Sequence, residues 1–514
     1  MKTRFLLLPP LFALAPVITL FANNLGQARP TEMLLPIGAS LAFALVLWPL
    51  LALLLRGFAR SAVALALFLL LFFSYGHVAR LIGGVSLGGM SLANPKLLLP
   101  MIAIVWLAVA RLVRRTPLPP ERLATILLVV VLSMLGTSAI GIGRFYAARQ
   151  PAASGTPVPT AAISAHTPPV RRPDIYYIIF DRYTSAAVLA SQYHFDNEPT
   201  LDFLRERGFF VAEDSRANYL VTAQSLASSL NLTHILDLTG RVGRESTDWI
   251  PVFQMLREHR VARFLKSQGY RYIQVGPKWN VTARNPYADA NYPYETLPEF
   301  SMILVHTTAL YPILYKFGVG RDDIEKFRRI NYQLDLLGRL AGREQQPFFV
   351  FAHFLVPHGP FVFNRDGTLR APDVAAAHPE RENYLEQLEF VNSRIRELVT
   401  RIQQNYPPDT PPVIVIQGDE GPYPGRTQPH AFDWSQVTDD EINEKMRILN
   451  AIYAPGCEAA FYPGQTPVNT FRMIFNCYFD TRLELLPDTS YMYRDLHHLY
   501  DFIEVTGRLP ATAP

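Results

Sequence analysis

The sequence predicts two structural classes in one chain: a multi-span helical membrane domain, then an α/β domain with a mostly parallel central sheet covered by helices. Three observations carry this reading. Long apolar runs are confined to the first 145 residues. The formal charge divides into +11 over residues 1–150 and −7 over the remainder. Beyond residue 174, short β-branched and aromatic runs alternate with helical patterns. At 514 residues the chain also exceeds one ordinary core.

The apolar stretches 5–22, 33–55, 61–78, 97–113 and 123–142 are read as five spans within a membrane domain of residues 1–145. Each approaches the ~20 residues a helix needs to cross the hydrocarbon while satisfying its own backbone. The third and fourth are short, and the Gly-rich segment 82–92 between them leaves a re-entrant pair as the alternative. Positive charge sets the orientation. Lys2, Arg4, Arg56, Arg60, Arg111, Arg114, Arg115 and Arg122 gather on one side, against Arg29, Arg80 and Lys96 on the other. The chain is therefore expected to be integral to an inner or plasma membrane, its N-terminus cytoplasmic and its C-terminal domain extracytoplasmic or periplasmic. The first stretch also has the basic start of a signal peptide, but no small-x-small cleavage site follows it. Basic residues in the gaps between spans are how membrane proteins use them, which argues against nucleic acid as a partner. Only His77 and Arg80 place ionisable groups near the end of a span, too few for a transporter.

Residues 146–173, rich in Ala, Pro, Ser and Thr, cannot build a core and read as a tether. Residues 174–514 form the exported domain. Strands are expected at 174–180, 209–212, 270–275, 348–352 and 413–416, and helices at 199–207, 223–230, 252–267, 322–340 and 381–404. Ligands in such sheets bind beyond the carboxyl ends of the strands. There stand Asp181, then His353 and the turn containing His358, then Asp419 and Glu420. Each alone is an ordinary turn former or cap. Together, clustered carboxylates need a cation or proton to offset their repulsion, and a hard divalent ion is the simplest solution. Thr222 stands where a helix begins: either an N-cap or a nucleophile aided by the positive helix end, with Ser225 one turn on as the competitor. Cys457 and Cys477 have no zinc-site spacing and are left as one bridge or two buried thiols. Residues 282–320, rich in Tyr and Pro, are expected to shape a substrate pocket.

The segments DIYYIIFD, ANYLVTAQSLASSLN, HFLVPHGPF and VIVIQGDEG, in that order across 174–456, resemble the sulfatase-like branch of the alkaline phosphatase superfamily. With the five spans, the plan is similar to lipoteichoic acid synthases and phosphoethanolamine transferases. The resemblance implies an alkaline-phosphatase-like α/β domain, Asp181 and Asp419 as metal ligands, Thr222 as a nucleophile on that metal, and His358 as a catalytic, substrate or leaving-group contact. It departs at Glu420, where the family has His, which turns the expected ion toward Mg, Mn or Ca rather than Zn. It departs again in lacking Cys-x-Pro-x-Arg, which removes formylglycine chemistry. His430 is the candidate replacement imidazole, placed with the substrate. The implied function is a metal-dependent hydrolase or transferase acting on phosphate or sulfate esters at the outer membrane face through a covalent threonine, with a membrane lipid or envelope glycan as substrate. The alternative is an inactive sulfatase-fold binding or structural protein of the cell envelope.

Overall fold

The computed structural model describes residues 2–116, 118–148, 163–167, 171–294, 297–345, 347–422 and 433–509. The chain divides into two compact units, residues 1–151 with 296–321, and residues 152–295 with 322–514.

The first unit is built on five long helices, α1 (Lys2–Ala22), α2 (Leu34–Leu55), α3 (Phe58–Ile82), α4 (Pro95–Arg115) and α5 (Pro120–Ala148). Each contains a stretch long and apolar enough to cross a membrane. The Gly-rich connection after α3 folds as a small antiparallel hairpin, β1 (Ser86–Leu87) with β2 (Met90–Ser91), in place of a re-entrant pair. Leu8, Ala13 and Val17 of α1 and Leu65 and Leu69 of α3 are fully buried among the helices, while Leu53 and Leu54 of α2 lie exposed, as lipid-facing residues do. The segment 296–321 joins this unit: the helix Glu299–Thr307 sets Phe300 and Leu304 into the same apolar cluster.

The second unit is built on a seven-stranded sheet. Its strands are β3 (Ile175–Phe180), β4 (Phe210–Val211), β5 (Arg271–Val275), β6 (Ala290–Asn291), β7 (Phe348–Phe354), β8 (Val413–Gln417) and β9 (Asn450–Tyr453), in the spatial order β4-β9-β8-β3-β7-β5-β6. β8, β3, β7, β5 and β6 run parallel, and β9 is antiparallel to both its neighbours. β3 sits between β7 and β8 with both faces buried, which is why its sequence is continuously apolar rather than alternating. Ile175, Tyr177 and Ile179 pack into one core and Tyr176, Ile178 and Phe180 into the other. Helices Thr222–Asn231, Ile250–Arg257, Arg260–Ser267 and Pro467–Phe479 cover the first face; Glu198–Glu206, Asp322–Leu337 and Glu380–Gln404 cover the second. The expected helix at 252–267 is broken in two at Glu258 and His259, where the His259 side chain accepts a hydrogen bond from Ala262 N and caps the second half. A second small ribbon, β10 (Tyr491–Tyr493) with β11 (Phe502–Glu504), closes the C-terminal part. Cys457 and Cys477 form a disulfide across a separation of 20 residues.

Candidate metal centre

Register brings the chemistry together. Ile179 of β3 pairs with His353 of β7 and with Gln417 of β8, so the residues that follow these strands emerge side by side. Asp181 is tied in place by its own N–H donating to Phe354 O at 2.9 Å, and Asp419 Oδ1 accepts Arg182 N–H at 3.2 Å. Asp181, His353 and Asp419 each direct one ligand atom into a common point, all within 4.8 Å of one another. Asp181 Oδ1, His353 Nε2 and Asp419 Oδ2 are buried and have no hydrogen-bond partner among the described residues. Three orphaned, converging donors of oxygen and imidazole type are what a divalent cation requires, since buried polar atoms otherwise find partners.

The electrostatics point the same way. Burial, the Asp181 carboxylate and Glu420 together push the Asp419 carboxyl well above its ordinary range. Burial raises Asp181 too, but His358, His353 and Arg182 outweigh it and hold that carboxyl below the usual range. One carboxylate is thus compensated by its neighbours and the other lacks a compensating charge.

His353 was expected just beyond a strand end; it is instead the sixth residue of β7, fully buried. Its Nδ1 lies 2.9 Å from Thr282 Oγ1, so with the ring proton on Nδ1 the Nε2 lone pair faces Asp181, 3.7 Å away. The signal in the sequence was a lone imidazole inside the otherwise apolar run FFVFAHF.

Thr222 is the first helical residue of Thr222–Asn231; the N-cap is Val221, and no side chain caps this helix. Thr222 stands near enough to the Asp419 carboxyl to oppose its rise, which places its hydroxyl beside the acidic cluster. Ser225 is 1 % exposed and donates to Asp419 O at 2.7 Å, which commits its hydroxyl to the backbone.

Glu420 has cations of its own. Lys445 Nζ lies 2.7 Å from Glu420 Oε1 and Arg182 Nε lies 3.5 Å away, all three side chains buried or nearly so. Both cations meet Glu420 Oε1, while its Oε2 is buried without a hydrogen-bond partner among the described residues. Burial still leaves the Glu420 carboxyl raised and the Lys445 ammonium lowered. His430 lies outside the described residues.

A cavity of about 240 Å³ opens beside the cluster, lined among others by Arg182, His358, Arg381, Tyr384 and Glu444, all of the second unit. Among the described residues, none of 282–320 contributes to this lining. His358 is carried on a turn pinned from below: Lys326 Nζ donates to His358 O and Pro360 O, and Gln387 Nε2 donates to Pro357 O and His358 O. His358 Nδ1 is taken up by Gly359 O. Burial, with Arg182 and Lys326 nearby, lowers the imidazole to about 3, so it is neutral at physiological pH.

The sulfatase family model matches residues 173–446, more than half of the chain and every residue of the metal cluster. The chain belongs to the sulfatase family. No curated protein matches this family member by sequence. Among solved structures it is similar to the C-terminal periplasmic domain of EptC from Escherichia coli in complex with Zn, at 13% identity, covering 68% of this chain and 97% of that one with a TM-score of 0.44. It is also similar to a phosphonate monoester hydrolase of Agrobacterium radiobacter, at 11% identity over 62% and 80% of the two chains with a TM-score of 0.40. A third is the C-terminal periplasmic domain of phosphoethanolamine transferase EptC from Campylobacter jejuni, at 11% identity over 66% and 96% with a TM-score of 0.36. Likeness at this level assigns no residue in this sulfatase-family protein; the roles above rest on its own geometry.

Proposed function

We propose that Asp181, His353 and Asp419 hold one divalent cation and that Thr222 is the nucleophile of a phosphate or sulfate ester hydrolase or transferase at the outer face of a membrane. The observation that carries this is the convergence of three orphaned donors, from Asp181, His353 and Asp419, beside the start of the helix that Thr222 begins. The bound cation would lower the pKa of the hydroxyl and neutralise developing charge on the non-bridging oxygens of the ester. With an imidazole among the donors, the argument for an oxygen-only ion weakens, and Zn and Mn suit the set as well as Mg does.

The Thr222 oxygen attacks phosphorus or sulfur as its proton passes to the acidic cluster, the bond to the leaving oxygen breaks, and a threonine ester remains. The free N–H groups at the start of Thr222–Asn231, with Arg182 and Arg381 in the adjoining cavity, receive the anionic oxygens. His358 is the leaving-group contact. An anionic ester seated beside it raises its proton affinity, because it adds the negative charge that Arg182 and Lys326 now outweigh. Water or an acceptor hydroxyl, attacking the threonine ester, regenerates the hydroxyl. A lipid or an envelope glycan fits a domain exported beside a bilayer, and the Cys457–Cys477 disulfide accords with an oxidising compartment. Glu420, which stands where the family has His, is paired with Lys445 and Arg182.

The test is a Thr222→Ala variant assayed on an aryl phosphodiester, monoester and sulfate, with mass analysis of the parent for a phosphoryl or sulfuryl adduct on Thr222. A folded variant slowed by on the order of 10³-fold or more is expected, by analogy with other removed nucleophiles. Turnover equal to the parent would remove Thr222 from the mechanism.

A further inference from the structure

Inside the first unit the helices leave a cavity of about 930 Å³, at the upper end of the roughly 300–1,000 Å³ of small-molecule sites. Phe12, Leu20, Leu69, Phe73, Met134 and Leu304 give it an apolar body. Asn23, His77, Arg80, His306 and Tyr311 supply its polar groups, and neither Asp nor Glu lines it among the described residues. Along α1 and α3 the lining passes from Phe12 and Leu69, through Thr19, Leu20, Phe73 and Ser74, to Asn23 and Arg80. Phe12 precedes Asn23 on α1, and Leu69 precedes Arg80 on α3, by eleven residues in each case, which is about 16 Å of helix. Apolar surface therefore runs inward from a cationic, donor-rich end.

The wall of this cavity is constructed by the fold, not left over between spans. Helices Glu299–Thr307 and Tyr311–Lys316 form part of it, far along the chain from the five spans. Ala309 N–H donates to Phe72 O of α3 at 2.9 Å, and a Cβ on Gly76 would fall 2.3 Å from His306 O, so the two backbones meet where only glycine permits it. The His306 and Tyr311 rings meet in a tilted contact, their centroids 4.3 Å apart.

We infer that this cavity holds one membrane phospholipid, its phosphate against Arg80 and an acyl chain along Phe12, Leu69 and Phe73. The charge decides the headgroup: an arginine and two histidines without a lining acid suit a phosphate and reject a cation. The length and apolar character decide the rest, because a free anion would leave most of the surface unfilled and water gains few partners there. The inference rests on the cavity alone and is independent of the metal centre.

The experiment uses the full-length protein in dodecyl maltoside, titrated with pyrene-labelled phosphatidic acid and, separately, with pyrene-labelled diacylglycerol. Saturable binding of one phosphatidate per chain is expected, displaced by unlabelled phosphatidate and not by inorganic phosphate. Arg80→Gln, at an exposed position, should weaken phosphatidate binding about tenfold, as loss of a charged hydrogen bond does, and leave diacylglycerol unchanged. Leu20→Trp, at a partly exposed position, should weaken both lipids by filling the apolar body. Unchanged gel-filtration and thermal profiles qualify each variant. Equal binding of the two lipids, displacement by inorganic phosphate, or parental affinity in both variants would overturn the assignment.

Discussion

Lys445 Nζ stands 2.7 Å from Glu420 Oε1, and both side chains are sealed from solvent. Removing one partner of such a pair strands the other charge in a low dielectric, at a cost of about 3–5 kcal/mol, whereas replacing both by apolar groups is often nearly neutral. Lys445→Met should therefore lower the denaturation free energy by that amount, and the double change with Glu420→Leu should recover much of it. Chemical denaturation of the four proteins in the cycle measures the coupling; strictly additive losses would show that the pair does not act as one.

The same pair separates a counter-ion from a ligand. After dialysis against a weak chelator and elemental analysis, Glu420→Gln is expected to keep the divalent ion content of the parent. His353→Ala should lose it. Thr282→Val, which removes the hydroxyl 2.9 Å from His353 Nδ1, should weaken affinity by about 10–100-fold, the usual effect of an orienting partner. If Glu420→Gln loses the ion while His353→Ala retains it, the ligand set has been misassigned.

Glu444 predicts a pH dependence. Burial raises its carboxyl from an ordinary 4.5 to about 7, with Tyr193, Lys445 and Arg381 opposing the rise. The folded protein thus holds a proton that the unfolded chain releases. The associated stability is complete below about pH 4.5 and is lost as pH climbs through about 7. Thermal midpoints from pH 4.5 to 8 should fall more steeply for the parent than for Glu444→Gln. Parallel curves would show that Glu444 titrates normally.

The disulfide closes a loop across 20 residues. Chain entropy assigns such a loop about 3 kcal/mol, so Cys457→Ser paired with Cys477→Ser should lower stability by roughly that amount under non-reducing conditions. Reductant should then affect the parent and leave the double variant unmoved.

The spans, the central strands and both aspartates of the cluster were legible because each is a local property. Asp181 and Asp419 end strands whose unbroken apolarity betrays burial on both faces, and the carboxyl ends of such strands are where sites form. His353 was harder, since a histidine inside a strand has no local feature separating a ligand from a core residue; its register beside Ile179 decides it. Glu420 follows Asp419 directly, and adjacency alone suggests a shared ion. Its partner Lys445 lies on the helix Asp439–Met446, and only tertiary folding reveals that. The assignment of 296–321 to the first unit was likewise unreadable, because its contacts lie with residues more than 200 positions earlier.

That last segment bears on how the protein is made. The helical unit cannot be finished until residue 321 has left the ribosome, after β3, β4, β5 and β6 have already emerged. A secreted fragment starting at residue 171 would carry Phe300 and Leu304 without the cluster that buries them, beside the already exposed Ile313 and Phe317. Such a fragment should self-associate unless 296–321 is excised or replaced by a short polar link.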